Sequence, residues 1–256
     1  TLHQIRAEIT GQGVQARFHA HGHKVSFAAI GQEMLDGGEL LEMAAGLAAL
    51  DSAVWDQNGC LSSRLHFVET GGDEDHTPLE YAQALAGQLR RLSSLLPRGA
   101  WPRQHLHDRF DRYKSLEAAG QVQALTGYDD DFLVVLDARP PGRDRPAAAA
   151  FRSLVNDCQG RVVVVRPVAD LLDVPQRYLR LLPPANLQSL SVAVGRPGQE
   201  LSARFLDFAA ACGRCGVTAI RTVGRGAFPQ LAYSWDGLIP LDLARPRPAG
   251  RFCTIE

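Results

Sequence analysis

Apolar residues recur along the chain in blocks of two kinds, separated by turn-forming residues. The first kind is a short run of apolar and β-branched residues, which is typical of a strand buried on both faces of a sheet. The second kind is longer and has apolar residues at helical spacing, which predicts a helix with a buried face. Strands are predicted at 24–30, 64–69, 132–136, 161–165, 190–194 and 219–223, and helices at 2–9, 39–51, 77–96, 104–119, 168–182 and 199–211.

The alternation of strands and helices predicts an α/β fold around a largely parallel sheet. Thr77-Pro78-Leu79-Glu80 predicts a helix start, with Thr77 as the N-cap and Pro78 at the first helical position. The segment 138–150 is rich in Pro, Gly and Arg, and we expect an exposed loop or a short helix there. The tail 245–251 is expected to be extended, and residues 252–256 offer a strand to a neighbouring molecule.

Composition narrows the class of protein. The chain has 256 residues, of which 45% are hydrophobic and 21% charged, as in ordinary globular proteins. With 27 basic and 28 acidic residues, the chain does not resemble a uniformly basic nucleic-acid binder. No apolar run reaches the roughly 20 residues that a membrane span needs. The odd number of cysteines, five, favours a reducing cytoplasm over a disulfide framework.

The segment most informative about chemistry joins the predicted helix 39–51 to the predicted strand 64–69. It reads Trp55-Asp56-Gln57-Asn58-Gly59-Cys60-Leu61-Ser62-Ser63. Asn58-Gly59 predicts a sharp turn, which places Cys60 at a loop apex with its sulfur facing a cleft. Backbone N–H groups at such a turn can stabilise an oxyanion. A cysteine after Asn-Gly is more often structural, so the turn alone assigns no role to Cys60.

The same segment resembles the fatty-acyl reductases of bacterial bioluminescence operons, the LuxC type, within the aldehyde dehydrogenase superfamily. The family pattern Asp-Gln-x-small-Cys-x-Ser leads into a strand, as does 56–62 here. Three further segments follow the family order from about residue 15 to the end of the chain: Gly22-His23-Lys24-Val25-Ser26-Phe27, Val223-Gly224-Arg225 and Trp235-Asp236-Gly237-Leu238.

The resemblance implies a three-layer αβα catalytic domain of the aldehyde dehydrogenase type, and a mechanism. Cys60, as a thiolate, would attack an acyl-CoA or acyl-protein thioester and form an acyl-enzyme. NADPH, the family's cofactor, would then deliver hydride, and a fatty aldehyde would be released. Gln57, Asn58 and Ser62 are the expected supporting residues around Cys60. The resemblance also implies a homo-oligomer and an acyl-transferring synthetase as a partner.

The chain departs from the family pattern in three places. No carboxylate stands around His19-Ala20-His21-Gly22, where hydrolytic aldehyde dehydrogenases carry a general-base Glu, which fits reduction better than aldehyde oxidation. Trp235 stands where the family often has His, so a role for that His does not carry over. No Gly-x-Gly-x-x-Gly follows a strand, and Gly11-Gln12-Gly13 is too short for a dinucleotide site.

The missing dinucleotide motif leads to an expected division of the chain. We expect residues 1–14 to be the end of a cofactor-binding domain, 15–244 to form the catalytic domain, and 245–256 to be the tail. The NADPH site is then expected mostly outside this chain, and the chain alone is expected not to reduce acyl-CoA.

Two alternative functions stay open at this point. One is a non-catalytic interaction domain on the same fold, in which Cys60 is buried and inert. The other is a Cys-dependent acyltransferase or thioesterase, which needs a histidine base near Cys60. His66 and the group His19, His21 and His23 are the candidates for that base.

Other candidate sites favour structural interpretations, and no metal site is predicted. His19 and His23 would lie about 13 Å apart on a strand, too far for one ion. Cys212-Gly213-Arg214-Cys215 closes a predicted helix, whereas a redox Cys-x-x-C opens one. The acidic turn at 128–131 and the arginines near it are expected to be solvated, the alternatives being a divalent-metal site and a site for CoA phosphates; these arginines are Arg90, Arg91, Arg98 and Arg103.

Overall fold

The structure is a computed structural model that describes residues 1–13, 21–70, 77–99, 102–139, 142, 145–195, 202–230, 236 and 253–255. Helices and strands alternate along most of these residues. The elements in chain order are α1 (Leu2–Gly11), β1 (Val25–Ile30), α2 (Gly38–Ala53), β2 (Ser63–Glu69), α3 (Pro78–Leu95), α4 (Arg103–Ala118), β3 (Gln123–Ala124), β4 (Leu133–Leu136), α5 (Arg145–Asp157), β5 (Val162–Val168), β6 (Leu187–Ala193), α6 (Ala203–Cys215), β7 (Ala219–Thr222) and β8 (Thr254–Ile255).

The strands form one sheet of eight in the order β3-β4-β5-β2-β1-β6-β7-β8. Every neighbouring pair is parallel except β3 and β4, which are antiparallel. Parallel strands covered on both faces should be apolar throughout, and Val162 to Val165 of β5 indeed have no exposed surface. The α/β prediction with a largely parallel sheet is therefore confirmed.

Helices cover both faces of the sheet, which gives the three layers. Alanine-rich α2 packs with α3 on one face, against residues such as Val134 and Val163. The opposite face packs against α4, α5, α6 and the segment between β5 and β6, with Phe27 and Phe67 near its centre. None of the residues of α1 is buried. Among the residues that the structure describes, no helix has both the length and the apolar character needed to cross a membrane.

Helix ends follow the local sequence closely. The predicted N-cap of α3 is confirmed, because the Thr77 side chain accepts a hydrogen bond from the Glu80 amide while the Glu80 side chain accepts one from the Thr77 amide. Helix α6 runs past the predicted end at 211 to Cys215. It stops at Gly216, whose φ of +113° is a left-handed conformation that favours glycine.

Of the two alternatives predicted for 138–150, a loop or a short helix, the structure shows a helix from residue 145, because Phe151, Leu154 and Val155 further along give α5 a buried stripe. Two segments differ from the sequence predictions. The segment 168–182 contains only short turns, a single π turn (Val174–Tyr178) and a 3₁₀ turn (Leu179–Leu181). The strand expected to pair with a neighbouring molecule, β8, pairs instead with β7 of its own chain. The tail 245–251 lies outside the described residues.

Candidate active site

Cys60 lies in the connection between α2 and β2, at the amino end of the central strands. Its backbone carbonyl accepts a hydrogen bond of 2.6 Å from the Ser26 hydroxyl at the start of β1. The same hydroxyl lies 2.8 Å from the hydroxyl of Ser189 on β6. Two neighbouring strands thus fix the backbone at Cys60, and its thiol is half-buried, neither enclosed nor fully exposed.

The turn that precedes Cys60 has an unusual backbone. Trp55, Asp56 and Gln57 have φ values of +62°, +47° and +57°, the left-handed region that non-glycine residues rarely adopt. The predicted turn at Asn58-Gly59 continues this bend, since Asn58 has the turn-like φ of −85° and ψ of −19°, and the Ser62 amide donates to the Gly59 carbonyl at 3.1 Å. Residues held in this way need the surrounding structure to fix them, and they cluster at functional sites.

Asp56 supplies the contacts that hold this turn. Its carboxylate accepts a hydrogen bond of 2.6 Å from Arg161 Nε and one of 2.8 Å from the Gly99 amide. Its backbone carbonyl accepts a further hydrogen bond from the Gly160 amide at 2.9 Å. Arg161 has a side chain only 3% exposed and also donates to the Leu96 carbonyl at 2.7 Å. We call this set of contacts the Asp56–Arg161 clamp.

The three predicted supporting residues have different positions. Gln57 is fully buried and donates through Nε2 to the Ser63 carbonyl at 3.0 Å. Ser62 is also buried, and its hydroxyl donates to the Val54 carbonyl at 3.3 Å. Asn58 is exposed, and its backbone N–H donates to the Trp55 carbonyl at 2.8 Å. These hydrogen bonds all stay within the loop, so they shape the loop that carries Cys60.

Three charged side chains act on the Cys60 thiol. Burial raises the pKa of Cys60, and the Asp236 carboxylate raises it further, whereas a backbone hydrogen bond and the cations Lys24 and Arg64 lower it. Arg64 is only 3% exposed and donates through Nη1 to the Val155 carbonyl at 3.2 Å. The environment therefore contains both cations that favour a thiolate and a carboxylate that opposes it.

Asp236 also binds two basic residues from the segment that leads into β1. Its Oδ2 lies 2.7 Å from His21 Nδ1, and its Oδ1 lies 3.3 Å from Lys24 Nζ. The side chains of Asp236 and Lys24 are 6% and 5% exposed, whereas that of His21 is 52% exposed. The sequence named His21 among the candidate bases, but it gave no role to Lys24 or Asp236, although both stand in segments that follow the family order.

The other histidines proposed from the sequence are placed differently. His66 has both ring nitrogens engaged, with the Ser52 and Tyr81 hydroxyls each at 3.0 Å. Burial lowers the pKa of His66 to about 3, so this residue is a neutral core histidine. Burial, followed by the Arg64 cation, lowers the pKa of His23, whose ring bonds Asn156. His19 lies outside the described residues, as does Trp235.

The remaining candidates take part in ordinary structural contacts. Asp130 pairs with Arg90 at 2.9 Å and Asp131 with Arg103 at 2.8 Å, so the acidic turn is matched by arginines. All five cysteines are unpaired, including Cys212 and Cys215 at the end of α6. Over the described ranges, no group of three His, Cys, Asp or Glu side chains is arranged to hold a metal ion.

Comparison with solved structures shows similarity to the aldehyde dehydrogenase fold. An oxidoreductase from Marinobacter aquaeolei is 14% identical with a TM-score of 0.54, and the match covers 99% of this chain and 48% of that one. An NAD-dependent aldehyde dehydrogenase from Burkholderia multivorans is 17% identical with a TM-score of 0.52, covering 84% and 38%. A methylmalonate-semialdehyde dehydrogenase from Oceanimonas doudoroffii is 12% identical with a TM-score of 0.51, covering 91% and 45%.

These similarities establish the fold, and the chain spans less than half the length of each of these three structures. A search of curated proteins returned no match. The family model described as acyl-CoA reductase (LuxC) matches residues 3–245, which is nearly the whole chain. This chain therefore belongs to the LuxC family of acyl-CoA reductases.

Proposed function

We propose that this chain is the acyl-accepting domain of a nicotinamide-dependent acyl-thioester reductase, with Cys60 as the nucleophile. The acyl group comes from an acyl-CoA or an acyl-protein thioester, and the product is a fatty aldehyde. The single observation that carries the proposal is the setting of Cys60. Its thiol is half-buried on a loop held by the Asp56–Arg161 clamp, and Lys24 and Arg64 partly offset the rise in its pKa that burial and Asp236 cause.

The step proposed for this chain is acyl transfer. The Cys60 sulfur forms a bond to the acyl carbon, the bond from that carbon to the carrier sulfur breaks, and the carrier leaves as a thiol. A bound reduced nicotinamide would supply the hydride that converts the acyl group to the aldehyde. Gly11 is the last residue of α1 and Gly13 lies just beyond it, whereas a dinucleotide site needs a glycine-rich turn between a strand and a helix. This glycine pair therefore does not fit a nicotinamide dinucleotide, and the proposed steps of this chain stop at acyl transfer.

A Cys-dependent thioesterase or acyltransferase is the second candidate function, and one observation favours it. The dyad of His21 and Asp236 can accept a proton from a nucleophilic thiol, and it can equally accept one from a water molecule and so activate it. A non-catalytic domain is disfavoured, because that interpretation needs an enclosed Cys60 and the thiol is half-buried.

The first experiment measures acylation of the 256-residue chain by tetradecanoyl-CoA without NADPH, using intact-protein mass spectrometry and peptide mapping. We expect one acyl group, located on Cys60. The Cys60→Ser variant should not be acylated through a thioester. The matched control is Cys215→Ser, because Cys215 is also half-buried and unpaired, and this variant should be acylated like the wild type.

The fate of the acyl group separates the candidate functions. A long-lived acyl-enzyme with little free fatty acid supports the reductase, whereas rapid release of free acid favours the thioesterase. Acylation that survives Cys60→Ser would remove Cys60 as the nucleophile. We expect no NADPH oxidation by this chain alone, and measured turnover at 340 nm would contradict that expectation.

A further inference from the structure

We propose that His21, oriented by Asp236, is a catalytic residue that takes the proton of the Cys60 thiol during acyl transfer and gives it to the departing carrier thiol. This inference rests on the proposed function, since it assigns a proton path to the same acyl transfer. It begins with His21, whose ring bonds the Asp236 carboxylate, and with the electrostatic effect of that carboxylate on the Cys60 thiol.

The hydrogen bond to Asp236 gives the two nitrogens of the His21 ring different roles. An ionised carboxylate can only accept hydrogen bonds, so His21 Nδ1 must donate its hydrogen across the 2.7 Å contact. In a neutral imidazole the other nitrogen, Nε2, then carries the lone pair and can accept a proton. The His21 side chain is half exposed, so Nε2 is not confined in the core.

Asp236 is itself held in place by Lys24. Its second oxygen lies 3.3 Å from Lys24 Nζ, and both of these side chains are almost fully buried. Lys24 comes directly before β1, where the Ser26 hydroxyl binds the Cys60 carbonyl. A short series of contacts thus links the His21 ring to the Cys60 loop, and Asp236 acts electrostatically on the thiol itself.

The Cys60 thiol needs a proton acceptor of this kind. Burial and the Asp236 carboxylate raise its pKa, so much of it is protonated near neutral pH despite Lys24 and Arg64. The guanidinium of Arg64 has no acceptor atom, and the Lys24 ammonium is paired with Asp236.

Among the residues that the structure describes, the other two candidate histidines do not offer a base. The ring of His66 is fully engaged by two hydroxyls, and that of His23 bonds Asn156 beside Arg64.

The proposed step balances without a redox partner. As Cys60 Sγ bonds to the acyl carbon, the thiol proton moves to His21 Nε2. The bond between the acyl carbon and the carrier sulfur then breaks, and the proton moves from Nε2 to that sulfur. The products are the acyl-Cys60 thioester and the free carrier thiol, with His21 neutral again. Lys24 and Asp236 keep the ring in one orientation throughout.

The test measures the rate of acylation of the 256-residue chain by tetradecanoyl-CoA, with rapid acid quench and intact-protein mass spectrometry. Positioned proton transfer contributes roughly 100-fold or more to rates, so His21→Ala should acylate about 100-fold more slowly. Added imidazole should restore part of the lost rate, which a purely structural role would not allow. His3→Ala is the control, because His3 lies on α1, which has no buried residue.

A second variant tests the orienting role of Asp236. Asp236→Asn keeps the shape of the side chain and removes the charge that holds Nδ1–H, so acylation should slow and imidazole should not restore it. An unchanged rate for His21→Ala, or a slow rate that imidazole leaves unchanged, would overturn the inference while Cys60 acylation stands. A wild type that is never acylated would overturn the proposed function and this inference together.

Discussion

His66 is a titratable residue that has no exposed surface. It joins three elements, because its ring on β2 contacts Ser52 of α2 and Tyr81 of α3. Protonation would put a charge among core residues, so the pKa of His66 is lowered to about 3 by burial. In the unfolded chain the same imidazole has an ordinary pKa of about 6.5.

The sign of the resulting pH dependence follows from these two values. Below pH 6.5 the unfolded chain binds a proton that the folded chain does not, so stability present at neutral pH is lost as the pH falls from about 6.5 towards 3. Between pH 7 and pH 5, we expect the free energy of unfolding of the wild type to fall by about 2 kcal/mol more than that of His66→Asn. Urea unfolding of both proteins at the two pH values measures the difference, and equal losses would show that His66 does not titrate in this way.

Individual residues also show which parts of the candidate site could be predicted from the sequence. Cys60 was identifiable because its local pattern, Asp56-Gln57-x-x-Cys60-x-Ser62, is contiguous. Asp236 was not, because it meets His21 only after the chain has folded across 215 positions. The choice between His21 and His66 as a base also depended on burial, which no local pattern specifies.

At the scale of elements, the Asp56–Arg161 clamp joins the α2–β2 connection to the end of α3 and the start of β5. The left-handed residues 55–57 cost on the order of 1–2 kcal/mol each without compensation. The clamp offsets that cost with a buried ion pair. Since the Arg161 side chain is 3% exposed, loss of its partner would leave an unpaired charge inside the protein.

We therefore expect Asp56→Ala to lower the free energy of unfolding by about 3–5 kcal/mol. Asp131→Ala is the matched control, because Asp131 also pairs with an arginine but the two side chains are 35% and 59% exposed, and it should cost below about 1 kcal/mol. Chemical denaturation of the two variants provides the comparison. Similar small losses for both would mean that the turn does not depend on the clamp.

The strength of the hydrophobic pattern, more than the length of an element, decided which elements were predictable. Long periodic segments such as α3 and strongly apolar strands such as β5 appear close to their predicted positions. The two-residue strands β3 and β8 carry no periodicity, so only their pairing in the sheet defines them. The start of α5 was hard to predict because its segment is rich in Pro, Gly and Arg. The apolar residues that follow in α5 have helical spacing.

At the scale of the whole molecule, β8 covers the edge of the sheet next to β7. The Thr254 amide donates to the Thr218 carbonyl at 3.0 Å. An uncovered edge strand presents unpaired backbone groups that favour pairing with other chains. Thr254→Pro removes the donor, so we expect a larger solution mass than the wild type at the same concentration, measured by light scattering. Thr254→Ser keeps the amide and should match the wild type, and a Thr254→Pro protein of unchanged mass would contradict this role.

The position of β1 in the middle of the sheet has a consequence for how the protein is made. One neighbour, β2, follows it closely, whereas the other, β6, lies about 160 residues further along. At typical rates of synthesis, one edge of β1 waits roughly 10–30 s for its partner to emerge from the ribosome. Ser189 reaches Ser26 only with β6, so the Cys60 loop gains its complete support late. A nascent chain that ends before β6 would therefore expose one unpaired edge of β1 beside a Cys60 loop that still lacks part of its support.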